Sequence, residues 1–158
     1  MISIYIYLIC RYIWLQKENA LIIKNKYIFY ILQFTWGLLI NIIGAITTLL
    51  LMLIMHKVPK CQGLCFYFEL NTNWGLNLGV FILGHKNCLK HEHGHAFQNA
   101  ILGPFFITVI TIPSVLRFWY RRIIKCVNPK TKLPPYDSIW FEGQATKSGT
   151  EYFKKEGI

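Results

Sequence analysis

Residues 27–55 read YIFYILQFTWGLLINIIGAITTLLLMLIM and contain no charged side chain. Basic residues border this stretch at Lys26 and Lys57. A helix needs about 20 apolar residues, at ~1.5 Å each, to cross the ~30 Å hydrocarbon core of a bilayer. The stretch exceeds that length, and a chain of 158 residues has no core large enough to surround it on every side. The sequence therefore predicts a transmembrane helix over residues 27–56.

The composition agrees with a protein that contacts lipid. Apolar residues make up 54% of the chain and charged residues 15%, against roughly 45–50% and 25% in average soluble proteins. The apolar and aromatic content excludes a disordered chain and argues against a freely soluble small enzyme. The formal net charge of +10 suits anionic lipid headgroups or nucleic acid. A lipid bilayer is the first partner that we expect.

The rest of the chain divides around the predicted span. Residues 1–26 form an N-terminal leader of apolar and polar residues, and Met1 is a candidate misassigned start. Residues 57–158 form a membrane-associated domain. Within it, residues 64–70 and 76–84 are rich in aromatic and aliphatic side chains and are separated by a turn-forming segment. This pattern predicts a short antiparallel β-hairpin.

Helices are predicted on the C-terminal side of the hairpin. Residues 89–102 fit a helix that ends before a Gly-Pro pair. Residues 105–116 are apolar, but they are too few to cross a bilayer and are interrupted by a proline, so we expect a re-entrant or interfacial segment. A last helix is predicted to end near Lys155. The predicted fold class is an α+β membrane protein.

The first of these helices carries a pattern with chemical meaning. His91, Glu92 and His95 form HExxH. Histidines four residues apart project from one face of a helix, so both imidazoles can bind one Zn²⁺ ion. Glu92 lies beside them, where it can accept a proton from a metal-bound water. The alternative is a solvated helix end with incidental histidines, although three histidines within five residues are unusual for one.

A third ligand is needed, because catalytic zinc takes three protein ligands and keeps one position open. Glu142 is the best candidate among the few downstream acids. Ala145 and Gly149 follow it at i+3 and i+7 on one helix face, and such small residues let the last helix approach the histidine helix closely. The alternative for Glu142 is an exposed helical glutamate, as most glutamates are. The predicted cofactor is Zn²⁺, which would make this a zincin-like helical site.

Two sequence resemblances extend this interpretation. HExxH followed by a helical Glu-x-x-Ala resembles the gluzincin branch of zinc metallopeptidases. The segments KHEHGHAFQNAILGPF, IPSVLRFWYRR and PPYDSIWFEGQATKSGTEYF resemble a family of small uncharacterised bacterial membrane proteins, over roughly residues 24–155. The gluzincin resemblance implies that His91, His95 and Glu142 are metal ligands and that Glu92 is the general base.

One departure from the gluzincin pattern concerns the residue that orients a histidine. Many gluzincins have an acidic residue shortly after the ligand glutamate for this role. Thr146 and Lys147 occupy those positions here, so the sequence leaves the role without a residue.

Two further parts of a peptidase site have candidates. In gluzincins a strand upstream of the zinc helix binds extended substrate by edge pairing, and the centre of the second predicted strand is placed to do this: Leu78, Gly79, Val80 and Phe81. The alternative for this strand is a plain structural hairpin. A donor that stabilises an oxyanion would also be needed, and its three unranked candidates are His93, Tyr136 and Tyr152.

The ligand set constrains the topology. All three ligands must meet on one side of the membrane, so residues 105–116 are not a full crossing. Six basic residues from Arg117 to Lys132 then lie on that side. Positive loops stay cytoplasmic, which predicts a site at the bacterial cytoplasmic membrane that faces the cytosol. The cluster interleaves basic and aromatic residues, as binders of single-stranded nucleic acid do, but its apolar neighbour favours a membrane surface over nucleic acid.

Three functional hypotheses follow. The leading one is a membrane-bound zinc metalloprotease that hydrolyses peptide bonds near the membrane through a zinc-activated water, on an unidentified peptide or protein substrate. The second is a non-catalytic membrane protein with a structural or degenerate zinc site, which acts as an adaptor or immunity factor. The third is a metal-dependent hydrolase that acts on lipid or another non-peptide substrate.

Overall fold

The computed structural model describes residues 19–158, which form an α+β fold with five α-helices and a four-stranded mixed sheet. Most of the leader predicted over residues 1–26 lies outside the described residues. The helices are α1 (Lys26–Phe34), α2 (Leu38–Met55), α3 (Leu89–Leu102), α4 (Ile112–Val127) and α5 (Trp140–Glu156). The strands are β1 (Lys60–Gln62), β2 (Cys65–Glu69), β3 (Gly75–Leu78) and β4 (Phe81–Gly84).

The uncharged stretch forms two helices, because α1 and α2 are separated by a turn that contains Gly37. Gln33 and Asn41 flank this turn, are buried, and hydrogen-bond each other through their amides at 2.8 Å. Gln33 Nε2 also donates to the carbonyl of Ala96 in α3 at 2.8 Å. Hydrocarbon offers such amides no partner, so this part of the stretch packs on the protein. The prediction of one helix over residues 27–56 is therefore wrong. It relied on the absence of charged side chains, but the stretch contains polar side chains.

α2 keeps the character of a span. Among the described helices it is the one that is long and apolar enough by itself to cross a membrane, with a mean hydropathy of 2.5. Only 22% of its residues are buried in the protein. Its outward side chains form a broad aliphatic surface: Leu38, Leu39, Ile42, Ile43, Ile46, Leu49, Leu50, Leu53 and Ile54.

A sharp bend separates α3 from α4. A 3₁₀ turn and the π-helical segment Ile107–Thr111 connect the two helices. The helical pieces Lys86–Phe105 and Ile107–Val127 meet at 117°. The pair together is long and apolar enough for one broken span, but the same bend also fits a re-entrant segment. The bend brings residues of α4 to the same cavity as the histidines of α3.

The sheet has the order β1-β2-β4-β3, and its centre is a parallel pair of β2 and β4. The predicted antiparallel pairing of residues 64–70 with 76–84 is wrong, because the second segment reverses direction at Gly79 and forms a hairpin of its own, β3–β4. Gly79 adopts a φ of +74°, and its N–H donates to the side chain of Asn77 at 3.1 Å. A glycine at positive φ makes such a two-residue turn possible inside an apolar run.

α3 and α5 pack together along small residues. A Cβ at Gly94 would collide with the carbonyl of Ala145, and a Cβ at Gly149 would collide with that of Lys90. The prediction of a helix over 89–102 and of close approach at Ala145 and Gly149 is confirmed. The aromatic core of the domain lies beside this contact, where Phe97 packs edge-on against Tyr152.

We expect Gly149→Ala to push α5 away from α3, because the new methyl group would meet the Lys90 carbonyl. Overpacking of this kind costs ~1–3 kcal/mol, so the unfolding temperature in detergent, followed by circular dichroism, should fall. Thr150→Ala changes the next residue, which is exposed, and should leave the unfolding temperature unchanged. Equal unfolding temperatures for the two variants would contradict the close contact.

Candidate metal centre

His91, His95 and Glu142 come together across the contact between α3 and α5. The Nε2 atoms of the two histidines are 3.1 Å apart, and Glu142 Oε2 lies 3.0 Å from that of His91 and 3.2 Å from that of His95. A tetrahedral ion with bonds of ~2.0–2.2 Å separates its ligand atoms by ~3.3–3.6 Å. The observed triangle is slightly smaller, so a small outward movement would fit it around an ion. This buried group could hold a metal ion.

The carboxylate of this group is removed from water. The side chain of Glu142 is 0% exposed, against 6% for His95 and 21% for His91. Burial by itself raises the pKa of Glu142, but when the ring N–H groups of His91 and His95 donate to it, these hydrogen bonds outweigh burial and hold the pKa well below its ordinary value. The second oxygen, Oε1, is buried without a hydrogen-bond partner among the described residues. A buried carboxylate with an unpaired oxygen is destabilising unless a cation compensates its charge.

The outer ring nitrogen of each histidine is held by a neighbour. His95 Nδ1 lies 2.7 Å from Gln98 Oε1, and His91 Nδ1 lies 2.9 Å from Thr146 Oγ1. Gln98 Nε2 donates to the carbonyl of Phe141 at 2.8 Å, which fixes which end of the amide faces His95. Since an amide oxygen only accepts, His95 carries a proton on Nδ1, and in its neutral form it directs the lone pair of Nε2 at Glu142.

Gln98 and Thr146 therefore orient the two histidines, a role for which the sequence offers no acidic residue. Thr146 stands at one of the two positions where gluzincins have an acidic residue. Gln98 was missed by sequence reasoning, although its i+3 spacing from His95 on a helix is a signal that could have found it.

Glu92 lies next to the ligand group, in contact with β3. Burial raises the pKa of Glu92 to about 7, against the opposing effects of His91 and of a hydrogen bond from the backbone of Asn77. A Cβ at Gly75 would lie only 2.7 Å from Glu92 Oε1. The absence of a side chain at Gly75 therefore gives the carboxylate its room beside the strand.

A cavity of about 490 Å³ opens over His91, Glu92 and His95. β3 and the residues before it form one side of the cavity. The π-helical segment and α4 form the other side, which is mainly apolar: Phe106, Ile110, Val115 and Phe118. The proposed base and both histidine ligands thus share one space that a ligand can enter.

The strand beside this cavity is an edge strand, but its accessible part differs from the prediction. β3 is the last strand of the sheet, and residues that flank a two-residue turn form a hydrogen-bonded pair, so Gly75 and Asn77 direct backbone groups away from β4. Because Glu92 binds the N–H of Asn77, the N–H and C=O of Gly75 and the C=O of Asn77 remain for a ligand. Of the four predicted residues, Leu78 ends β3, and Gly79 and Val80 form the turn. Phe81 lies in β4, inside the sheet. The turn at Gly79 ends the edge before the predicted segment, so residues 75–77 are the usable edge.

The candidate oxyanion donors lie in two places. His93 is fully buried, stacks on Tyr152 at a centroid distance of 5.1 Å, and accepts a hydrogen bond from the N–H of Leu64 through Nε2. Burial lowers the pKa of His93 to about 4, which keeps the ring neutral. His93 and Tyr152 do not line the cavity. His93 is two residues from both His91 and His95, so its side chain points in another direction from the helix, and Tyr152 stacks on it. The ring of Tyr136 lies 6.3 Å from that of His91, so Tyr136 is the candidate beside the ligands.

Two arginines of α4 hold the segment that carries Tyr136. The guanidinium groups of Arg117 and Arg121 lie 5.8 Å and 5.7 Å from the Tyr136 ring. Both arginines also donate to backbone carbonyls of residues 134–136. Lys125 likewise donates to carbonyls just after α4. Half of the basic cluster predicted to face a membrane therefore binds the chain itself.

No protein-family model, curated protein or solved structure matches the chain. The resemblance to gluzincins and to small bacterial membrane proteins therefore stays a prediction. The function has to be argued from the geometry of this site.

We expect Glu142→Ala to lose metal affinity by more than the ~10–100-fold that removal of an outer partner costs, because two histidines alone would remain. Glu142→Asp should also weaken binding, since it shortens the reach to the triangle. Zinc content after dialysis, measured by atomic emission, tests both changes. Glu151→Ala alters an exposed acid of the same helix and should keep full metal. Metal lost from Glu151→Ala but kept in Glu142→Ala would refute the ligand assignment.

Gln98→Met should weaken zinc binding by about 10–100-fold while all three ligands remain, because His95 would lose the acceptor that fixes its tautomer. Competition with a fluorescent zinc chelator measures the affinity. Gln62→Met, on the distant strand β1, is the matched control. A folded Gln98→Met protein with unchanged zinc affinity would show that the hydrogen bond does not prepare the ligand.

Proposed function

We propose that the chain is a membrane-bound zinc metalloprotease that hydrolyses peptide bonds near the bilayer. One observation carries the proposal: Gln98 fixes His95 so that its Nε2 lone pair faces the buried carboxylate of Glu142, and this arrangement opens into a cavity that also contains Glu92. A cation between these atoms relieves the repulsion. The combination of two imidazoles and one carboxylate is a ligand set of catalytic zinc.

The metal has one chemical task in this proposal. Zinc bound by three protein ligands keeps a position for water and lowers the pKa of that water toward ~7. The remaining tasks fall to side chains and backbone groups of this chain.

Glu92 is the proton carrier. Its carboxylate is placed in the cavity beside both histidines, accepts the proton of the attacking water and passes it to the leaving amine. The backbone N–H and C=O of Gly75 and the C=O of Asn77 hold an extended polypeptide as an added strand, while the Asn77 N–H binds Glu92. The hydroxyl of Tyr136, 3.1 Å from that of Ser114 and beside the ligands, donates to the oxygen on which charge develops.

The membrane part of the proposal rests on α2 and on the bend after α3. α2 is the span, and the bent segment before α4 is re-entrant or interfacial, so that Glu142 stays on the side of His91 and His95. The basic residues after the bend favour the cytosolic side of a bacterial cytoplasmic membrane.

The non-catalytic alternative has one observation in its favour. Structural zinc sites are closed, and Glu142 and His95 are almost completely buried. The exposure of His91 to the cavity and the presence of Glu92 there favour the catalytic reading.

Glu92→Gln separates the two functions. It should keep zinc, because it removes no ligand, and should lower the hydrolysis rate of labelled, unfolded casein by ~10²–10⁴-fold, because the proton acceptor is gone. Glu69→Gln changes an exposed glutamate of β2 and is the control. Hydrolysis by zinc-loaded Glu92→Gln at the wild-type rate would exclude Glu92 as base. A zinc-loaded wild-type protein that cleaves nothing would favour the non-catalytic function.

A further inference from the structure

The two sides of the cavity differ in chemistry. The β3 side offers the backbone N–H and C=O of Gly75 and the C=O of Asn77, which suit a polypeptide backbone. The opposite side offers the apolar side chains of Phe106, Ile110 and Val115. A ligand that satisfies both sides has a peptide backbone along one edge and an apolar group on the other.

The apolar side of the cavity continues to the outer surface of α4. Residues on one helical face are exposed and apolar, and we call them the outer stripe: Ile112, Val115, Leu116, Trp119 and Ile123. Val115 belongs to both surfaces, because it lines the cavity and is 43% exposed. The outer stripe is therefore continuous with the apolar side of the cavity at Val115, with no polar side chain between them.

The outer stripe has the surroundings of a lipid-facing surface. Arg117 and Arg121 turn another side of α4 toward the chain's own backbone, which leaves the stripe outward. Residues 112–136 contain no acid, and three of their six basic residues, Arg117, Arg121 and Lys125, bind backbone carbonyls. The other three, Arg122, Lys130 and Lys132, provide positive charge that complements anionic headgroups. The cavity thus borders the surface that would meet the bilayer.

The geometry points to a substrate class for the proposed protease: an extended polypeptide that presents a large apolar side chain to the Phe106–Ile110–Val115 wall and is drawn from the bilayer surface. This inference rests on the proposed function, since the bound backbone must lie beside Glu92 to be cleaved. A polypeptide fits better than a lipid, because an acyl chain would leave the edge groups of Gly75 and the carbonyl of Asn77 without partners.

The test measures binding without turnover. Zinc-loaded Glu92→Gln protein in phosphatidylcholine nanodiscs is titrated with two blocked, fluorescein-labelled peptides that differ only in a central leucine or aspartate. Burial of a leucine-sized side chain should make the leucine peptide bind about 10–100-fold tighter. Adding Val115→Asp should remove about tenfold of that affinity. Asn128→Asp places the same charge on an exposed residue just after α4, outside cavity and stripe, and should leave the affinity unchanged.

Each outcome decides a separate question. Equal affinity for the two peptides, or no binding of either to zinc-loaded protein, overturns the substrate class even if Val115→Asp fails to fold. A phospholipid that co-purifies and is lost in Val115→Asp assigns the cavity to an acyl chain and also overturns it. If the leucine peptide binds more tightly but the wild-type protein does not hydrolyse casein, the apolar pocket is supported and the protease function is rejected. If the wild-type protein hydrolyses casein but the two peptides bind equally, the protease function is supported and the substrate class is rejected.

Discussion

The contact between α3 and α5 at Gly94 and Gly149 is the constraint on which the ligand group depends. The two histidines come from one helix and the carboxylate from the other, so the three atoms converge to 3.0–3.2 Å only if the backbones touch. Glycine contributes little apolar burial of its own. The contact is stabilised beside the glycines, where Phe97 and His93 of α3 pack against Tyr152 of α5 in the aromatic core. His93 therefore serves the site by holding the helices together.

A second, polar contact ties α2 to the site. Asn99 of α3 donates to Gln33 Oε1 at 2.6 Å, and Asn41 donates to the same oxygen at 2.8 Å. Asn41 also accepts from the N–H of Val80 at 2.7 Å, at the turn after β3. One cluster of amides thus connects the start of α2, the ligand helix and the edge strand. Asn99 Oδ1 has no partner among the described residues, but the shared hydrogen bonds at Gln33 Oε1 restrict how these elements can move relative to one another. The cavity therefore keeps its position relative to α2.

The parts predictable from sequence were those set by spacing on a helix. His91 and His95 share a face, and the small residues after Glu142 imply a close helix pair. The sheet was not predictable in the same way, because the β2–β4 pairing is non-local and the turn at Gly79 lies inside an apolar run. The break before α2 was missed because counting charges overlooks amides such as Gln33. The i+3 spacing of Gln98 from His95 indicates the contact between these two residues. It does not indicate the tertiary contacts with α5 through which Gln98 also acts.

α4 borders both the proposed membrane surface and the cavity. Its arginines hold the Tyr136 segment by bonds to carbonyls, so these side chains are not available to lipid headgroups at the same time. Its cavity side forms the apolar wall above the ligands, and its outer stripe faces outward. A shift of α4 would therefore change the wall and the position of Tyr136 together, while the ligands on α3 and α5 would stay in place. In the proposed function, α3 and α5 would thus bind the metal, while β3 and α4 would place the substrate.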